Sequence, residues 1–138
     1  MEKTFIMIKS DGVARGLIGE IIGRIEKKGF RITRGKLYCP GRELVEEHYK
    51  EHKDKPFFEE LVDYILEGPV MAMEIEGENV VSVMRSMMGD KDPKKAIPGT
   101  IRGDFANSIT RNLIHGSDSV EHAQQELDLW FNHKDDIN

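Results

Sequence analysis

The sequence predicts an α+β fold in which helices cover an antiparallel sheet, and three observations lead to this prediction. Short apolar segments are bounded by glycine, proline and polar residues, which is typical of strands. Longer segments carry apolar residues three or four positions apart, which is typical of amphipathic helices. The two kinds of segment alternate along the chain, except in the middle, where two helical segments follow one another.

The first half of the chain is predicted to contain two strands and three helices. These elements are a strand at 3–8, a helix at 17–25, a strand at 31–39, and a helical hairpin formed by 42–52 and 57–66. Turn residues separate them: a polar turn at 9–12 closes the first strand, Gly29 ends the first helix, and Pro40 and Gly41 end the second strand.

The second half is predicted to contain two strands and two helices. These are a strand at 70–75, a helix that starts at Asn79 and stops at Gly89, a strand at 112–115 after a loop at 90–103, and a last helix at 120–131 that Asp118 or Ser119 caps. The order β-α-β-(αα)-β-α-β-α matches the ferredoxin-like βαββαβ plan. That plan has an antiparallel sheet with helices on one face, and here a helical hairpin is inserted before the third strand. We expect a single domain over 1–138.

Composition excludes several classes of protein. A length of 138 residues suits one domain with a sizeable core, and 38% hydrophobic with 33% charged residues is typical of a soluble globular protein. The single cysteine, Cys39, excludes an internal disulfide and favours a reducing compartment, so we expect a cytoplasmic protein. Apolar runs are far shorter than a membrane span needs. The net charge of −5 disfavours binding to nucleic acid, which usually needs a basic face.

A histidine at the end of the fourth predicted strand is the sharpest candidate for chemistry. In the segment RNLIHGSDSVE at 111–121, His115 precedes a Gly-Ser-Asp turn and the last helix. Histidine can act as nucleophile, acid or base near neutral pH, although a lone histidine at a strand end is more often a surface or packed residue. A nucleophilic imidazole needs its other N–H held by an acceptor, which Glu126 could supply. The alternative for Glu126 is an ordinary solvated helix residue.

Basic side chains from separate segments form a second candidate site. These are Lys9, Arg85, Lys91, Arg102 and Arg111. Lys9 follows the first strand and Arg102 lies in the loop before the fourth, so a sheet that brings these ends together would create an anion site for phosphates. The alternative is that these charges only decorate the surface of a highly charged chain.

Other patterns indicate packing rather than chemistry. His48 and His52 lie four positions apart and could form a metal pair, but without a further ligand or an HExxH pattern we interpret them as a solvated helix face. Met84, Met87 and Met88 are interpreted as core residues. The chain has no GxxxxGK[ST] motif, no GxGxxG after a strand and no protein-kinase motif set, so any nucleotide would bind by another route.

Four segments taken together resemble the nucleoside diphosphate kinase family. They are KSDGV near the N-terminus, HYKEHKDKPFF in the middle, PGTIRGDF, and NLIHGSDSVEHAQQE. The match runs in order over nearly the whole chain, and the NxxHGSD stretch is specific to that family. The resemblance implies a ping-pong exchange, in which a nucleoside triphosphate gives its γ-phosphate to His115 and a different diphosphate takes it away.

The resemblance also implies roles for individual residues. Glu126 and Ser117 would hold the ring of His115, and Lys9 and Tyr49 would flank the moving phosphoryl group. The implied nucleotide contacts are Arg85 and Arg102 with the phosphates, Asn112 and Lys9 with the ribose hydroxyls, and Phe57 and Ile109 with the two sides of the base. Stacking on an aromatic ring reads no hydrogen-bond pattern, so purine and pyrimidine nucleotides should both be accepted.

Magnesium and self-assembly are further implications of the resemblance. Mg²⁺ would arrive on the substrate phosphates, since no carboxylate cluster indicates a metal site within the protein. The expected partners are ATP and other nucleoside di- and triphosphates. The family forms hexamers or tetramers, and the sequence does not distinguish these two assemblies.

Two residues depart from the family pattern. Ser10 stands where proline is usual, which removes a rigid turn element. Lys91 stands where a threonine that touches phosphate is common, so it could add a phosphate contact or point into solvent. These departures leave a rival interpretation open, a nucleotide-binding module that has lost turnover. A nucleic-acid-binding protein is a third interpretation, which the acidic charge disfavours.

Overall fold

The computed structural model describes residues 1–131, and four strands in this part of the chain form one antiparallel sheet. The strands are β1 (Glu2–Ile8), β2 (Arg31–Tyr38), β3 (Val70–Gly77) and β4 (Ile114–Gly116), and their order in the sheet is β2-β3-β1-β4. In this register Glu2 lies opposite Gly77 of β3, and Ile6 lies opposite Gly116 of β4. The predicted α+β class and the antiparallel sheet are confirmed.

Helices form most of the connections between the strands. Seven α-helices lie within residues 1–131: α1 (Ser10–Ala14), α2 (Ile18–Lys27), α3 (Arg42–His48), α4 (Phe58–Ile65), α5 (Val80–Met88), α6 (Ile101–Phe105) and α7 (Val120–Phe131). A 3-10 helix at Lys50–His52 follows α3. The predicted hairpin corresponds to α3 and α4. No described helix is both long and apolar enough to span a membrane. Residues 132–138, which end the predicted single domain 1–138, lie outside the described residues, so that domain extent stays a prediction.

Two segments predicted as a turn and a loop form short helices instead. The predicted turn at 9–12 begins α1, because the Lys9 carbonyl accepts the first helical hydrogen bond at 3.0 Å. The end of the predicted loop 90–103 forms the start of α6. Thr100 caps this helix, because its side chain accepts a backbone N–H at 2.9 Å. Of the two predicted caps of α7, Ser119 is the one that accepts a backbone N–H from the first turn, at 3.0 Å.

Both faces of the sheet are buried, so the prediction that helices cover one face is wrong. On β1, Phe5 and Met7 enter a core that α3, α4 and α7 cover, while Ile6 and Ile8 enter a second core that α2 and α5 cover. A strand with apolar residues at consecutive positions needs a cover on each side. Burial of each of these side chains contributes about 1.5–3 kcal/mol. The methionines of α5 pack in the second core, as predicted.

The start of β4 differs from the prediction of a strand at 112–115. The strand begins only at Ile114, because Leu113 has a left-handed backbone with φ of 77°. The Leu113 carbonyl accepts a hydrogen bond from the Lys9 N–H at 2.8 Å, which ties the end of β1 to this segment. Burial of the leucine side chain offsets the roughly 1–2 kcal/mol that the left-handed conformation costs. His115 therefore lies in the middle of β4 rather than at its end.

Candidate active site

His115 belongs to a hydrogen-bonded group that joins β4 to α7. Its Nε2 lies 2.9 Å from Glu126 Oε1, and Ser117 Oγ donates to the same carboxylate oxygen at 2.6 Å. Ser117 is buried, and its hydroxyl also lies 3.4 Å from the Phe5 carbonyl on β1. Glu126 therefore contacts His115 instead of facing only solvent.

The electrostatics of this group determine which nitrogen of His115 is available. Burial opposes ionisation of Glu126, but the hydrogen bond and charge of His115, with contributions from His48 and Ser117, lower its pKa to about 2. An ionised carboxylate only accepts, so the Nε2 proton of His115 points to it. The lone pair of the neutral ring is then on Nδ1, for which no hydrogen bond is found among residues 1–131. A nucleophilic imidazole requires this arrangement.

Lys9 is a buried cation that directly follows β1. Its Nζ donates to Asn112 Oδ1 at 2.9 Å, and Asn112 Nδ2 donates to the Ile109 carbonyl at 2.8 Å. Burial, followed by the charge of Arg102, lowers the pKa of Lys9 to about 7, while Asp11 partly opposes the shift. An anion bound beside this lysine would stabilise its charged form.

Arg102 and Arg85 hold the backbone around β4. Arg102 donates to three backbone carbonyls at distances between 2.6 and 3.2 Å, and Arg85 donates to the Gly116 carbonyl at 3.3 Å. Burial, followed by the charge of Arg85, lowers the pKa of Arg102 to about 10, so it remains charged at neutral pH. The described residues offer neither arginine a carboxylate ion pair, so both charges are available to an anion. The clamp on the backbone is a role that the sequence did not indicate.

Tyr49 brings an unused hydroxyl to the same region. Its hydroxyl oxygen is buried, and no hydrogen-bond partner is found for it among the described residues. Burial, followed by the charge of Glu126, raises the pKa of Tyr49, so the O–H remains protonated. Buried polar groups without a partner are uncommon in folded proteins. The hydroxyl is therefore a donor that a bound ligand can use.

Three predicted nucleotide contacts are exposed. Phe57 is 41% and Ile109 53% exposed, and Lys91 lies in an exposed loop. None of the three lines the cavity of about 250 Å³ that contains His115. Phe57 instead lines a neighbouring cavity of about 420 Å³ beside α4, where its ring remains accessible to a stacking partner. Of the predicted site residues, His115, Glu126, Tyr49 and Arg85 thus line one cavity and Phe57 lines another.

Two further predicted features have partners within the fold. Arg111 donates to both carboxylate oxygens of Glu67, at 2.8 and 2.5 Å, and lies over a tyrosine ring, so it does not belong to the group around His115. Ser10 is buried at the first position of α1, and its hydroxyl donates to the Ile65 carbonyl at 2.7 Å. This hydrogen bond ties α1 to α4, where a proline would only restrict the backbone.

His48 contradicts the prediction of a solvated helix face. Its side chain is 1% exposed, its Nδ1 accepts a hydrogen bond from Trp130 Nε1–H at 3.1 Å, and its ring meets the His115 ring with centroids 4.5 Å apart. Because α3 ends at His48, His52 does not continue the same helix. One signal could have identified His48: it lies three positions after Val45, which is on the apolar face of α3.

His48, His115 and Glu126 offer ligand atoms that lie within 4.8 Å of one another. A metal would need a free lone pair on each ring. Burial, followed by the charge of His115, lowers the pKa of His48 to about 3, so its ring is neutral and has one lone pair. The indole N–H of Trp130 occupies that lone pair. These three residues therefore do not fit a resident metal ion in their observed arrangement.

The fold and the site together define a class of protein. An ionised carboxylate holds one nitrogen of His115, the other nitrogen is free, and cationic side chains extend from the segments packed around β4. Cations suit an anionic group, and a histidine nucleophile suits a group that is received and then passed on. This arrangement is that of a histidine phosphotransferase.

Comparison with known proteins gives the family. Residues 2–135 match the family model described as nucleoside diphosphate kinase. A nucleoside diphosphate kinase of Exiguobacterium sibiricum is 60% identical over 131 residues, which cover 95% of each chain. The apo crystal structure of nucleoside diphosphate kinase from Encephalitozoon cuniculi has a TM-score of 0.93 and 45% identity, covering 96% of this chain and 90% of that one. The enzyme of Halobacterium salinarum, in complex with CDP, has a TM-score of 0.92 and 48% identity, covering 96% and 88%. The chain therefore belongs to the nucleoside diphosphate kinase family.

Proposed function

We propose that this enzyme transfers the γ-phosphate of a nucleoside triphosphate to a nucleoside diphosphate in a ping-pong reaction, with His115 as the phosphate carrier. The observation that carries the proposal is the 2.9 Å contact between His115 Nε2 and Glu126 Oε1, which leaves Nδ1 as the nucleophile. Family membership supports phosphate transfer between nucleotides.

The reaction consists of two displacements at phosphorus. In the first, His115 Nδ1 forms a bond to the γ-phosphorus while the bond from that phosphorus to the bridging oxygen breaks, and the diphosphate leaves. The ring becomes positively charged, and Glu126 stabilises that charge. In the second, a terminal oxygen of another diphosphate attacks the phosphorus, the N–P bond breaks, and the neutral ring is restored. Phosphoryl transfer asks the protein mainly for such positioning and for electrostatic stabilisation.

Basic side chains provide the electrostatic stabilisation. Lys9, Arg85 and Arg102 offset the negative charge that spreads over the oxygens of the moving phosphoryl group. The Tyr49 hydroxyl donates to the same group, which would satisfy its buried O–H. Support comes from the burial of Lys9 and Arg102, because a charge that is partly removed from water interacts more strongly with a bound anion.

The nucleotide lies between Phe57 and Ile109, with its base stacked on the exposed phenylalanine ring. Asn112, which Lys9 already contacts, meets the ribose hydroxyls, and Lys91 reaches the phosphates from its loop. Stacking alone does not distinguish one base from another, so specificity for the base is broad. The CDP complex of the Halobacterium salinarum relative supports a pyrimidine nucleotide as one of the substrates.

Mg²⁺ enters with the nucleotide. This ion prefers oxygen ligands and keeps several waters, and the phosphates of the substrate offer such oxygen ligands. The phosphates and bound waters therefore coordinate the ion, and the protein contributes no resident metal site built from His48, His115 and Glu126. When bound, the ion neutralises part of the phosphate charge.

Self-assembly and location complete the proposal. We place the enzyme in the cytoplasm, because its single cysteine suits a reducing compartment. A homohexamer or homotetramer is the proposed assembly. Support comes from β2, which lies at the edge of the sheet and carries Leu37 with 55% exposure, since an unpaired edge with an exposed apolar side chain favours association.

The experiment that tests the proposal follows a labelled phosphate. The protein is incubated with γ-labelled ATP and magnesium, and unlabelled GDP is then added. We expect acid-labile label on the wild-type protein that moves to GTP, and no label on a His115→Ala variant with an unchanged circular dichroism spectrum. Nucleotide binding without label on the wild type would contradict the proposal and favour a non-catalytic nucleotide-binding module. Turnover by His115→Ala would remove His115 as the carrier.

A further inference from the structure

His48 and Trp130 form a pair that takes no part in the reaction steps described above. His48 ends α3 and Trp130 lies near the end of α7, so the hydrogen bond between them joins two helices of the same core. His48 also lines the cavity that contains His115, and the two imidazole rings meet at 78°. A histidine in this position touches both the protein core and the reaction site.

The tautomer of His48 follows from its partner. An indole N–H can only donate, so Nδ1 of His48 must carry the lone pair. The groups around the ring are Lys9, Tyr49, His52, His115 and Glu126, and burial outweighs the influence of the carboxylate in keeping the ring neutral. A neutral imidazole with its lone pair on Nδ1 has its only proton on Nε2. His48 is therefore a fixed and uncharged N–H donor.

A phosphoryl group on His115 has oxygens that can accept a hydrogen bond from such a donor. Ring centroids 4.5 Å apart place the His48 ring directly beside the ring that would carry the phosphoryl group. Lys9, Arg85 and Arg102 supply the positive charge in the proposed mechanism, so an uncharged donor adds a hydrogen bond without the tighter binding that a further buried charge would cause.

We propose that His48 is a further catalytic residue, whose Nε2–H donates to an oxygen of the phosphoryl group carried by His115, and that Trp130 is the positioning residue that fixes the donating tautomer. This inference rests on the proposed function. His48 acts on the phosphoryl group in both half-reactions, so its loss slows phosphorylation by a triphosphate and dephosphorylation by a diphosphate alike. Nucleotide binding is not affected, since the base and ribose contacts lie elsewhere.

Two amide substitutions test the roles of the two ring nitrogens of His48 one at a time. In His48→Gln the amide nitrogen takes the place of Nε2 and keeps the donor. In His48→Asn the amide oxygen takes the place of Nδ1, so the acceptor for Trp130 is kept and the donor is lost. Single-turnover rates of both half-reactions are measured by rapid quench with γ-labelled ATP and then GDP, beside the Kd for the nucleotide.

The expected result is a fall of roughly 100-fold in both rates for His48→Asn, as for the loss of one preorganised donor elsewhere. His48→Gln should stay within about tenfold of the wild type, and the nucleotide Kd should be unchanged in both variants. Equal rates in the two variants, or a loss that appears only in Kd, would overturn the inference. Failure of the proposed function is distinguishable, because the wild type itself would then take no label.

Trp130→Phe tests the positioning step and keeps the inference testable if His48→Asn does not fold. The phenylalanine retains the aromatic packing against Phe5 but removes the indole N–H. We expect Trp130→Phe to slow both half-reactions in the wild-type background and to have no further effect in the His48→Gln background, where no tautomer remains to be fixed. Wild-type rates in the single variant, or additive losses in the double variant, would contradict the role of Trp130.

Discussion

Glu126 is the residue on which the state of His115 depends most directly. Its Oε1 accepts hydrogen bonds from both His115 and Ser117, and its low pKa keeps it ionised throughout the neutral range. The carboxylate therefore fixes the tautomer of the ring and offsets the positive charge that phosphorylation creates.

Substitution of Glu126 by alanine removes both effects. We expect Glu126→Ala to slow phosphorylation of the protein by about 10- to 100-fold, as loss of the carboxylate behind a functional histidine does at other sites. A single-turnover assay with labelled ATP measures this rate. Asp128→Asn, an exposed carboxyl change on the same helix, is the matched control and should keep the wild-type rate. An unchanged rate in Glu126→Ala would exclude Glu126 from the mechanism.

Lys9 should make nucleotide affinity depend on pH. Burial and Arg102 lower its pKa to about 7, so the empty protein loses this charge as the pH rises above 7. Phosphate binding requires the ammonium form, so binding takes up a proton there, and the Kd should rise by up to about tenfold per pH unit above 7 and stay flat below it.

Titrations between pH 6 and 9 measure the pH dependence of the Kd. Lys9→Arg keeps its charge at every pH in this range, so its Kd should lack the rise above pH 7 even if its affinity is lower. The same rise in both proteins would show that another group is responsible.

At the scale of the elements, the contact between α5 and β4 is unusually close. A Cβ built on Gly116 would lie 2.5 Å from Met88 Sδ and 3.1 Å from the Ile6 side chain. Glycine at this position therefore lets the helix approach the strand that carries His115.

Gly116→Ala should reduce the free energy of unfolding by about 1–3 kcal/mol, because it overpacks this contact. Gly19→Ala is the matched control: no heavy atom lies within 4 Å of its built Cβ, and it lies in α2. It should leave stability unchanged or raise it by up to about 1 kcal/mol. Urea unfolding measures the free energy of unfolding of both variants. Equal changes in the two variants would contradict the packing argument.

At the scale of the whole molecule, β2 is one of the two edge strands that the sheet has among the described residues, and the three-residue strand β4 is the other. The pattern of exposure of β2 differs from that of β1, whose last five residues are fully buried. The edge of the sheet and Leu37 together form a surface that a second copy of the chain can cover.

Leu37→Glu should shift the protein toward smaller species, because it places a charge in the proposed contact between copies. Sedimentation velocity measures the distribution of masses. Val120→Glu is the matched control, since Val120 is also exposed and apolar but lies on α7. We expect the wild-type distribution for that variant. No shift in Leu37→Glu would exclude this edge from the contact.

The sequence by itself determined the order of the elements and the central histidine. Apolar spacing and stop residues such as Gly29 and Gly89 reflect preferences that are satisfied within a few neighbouring residues, so helices and strands could be predicted from short windows. The motif around His115 also indicated Glu126, which is only eleven residues away. Short helices such as α1 escaped prediction, because a single turn has too few positions to display a period.

Only the tertiary structure decided which faces are covered and which side chains meet. His48 and Trp130 are 82 residues apart, and Arg111 and Glu67 are 44 apart, so no local pattern relates the members of either pair. No local pattern indicated the second covered face of the sheet either. Periodicity indicates which side of an element is apolar, but burial, hydrogen-bond partners and pKa shifts depend on the element packed against it, and long-range packing of the whole chain selects that element.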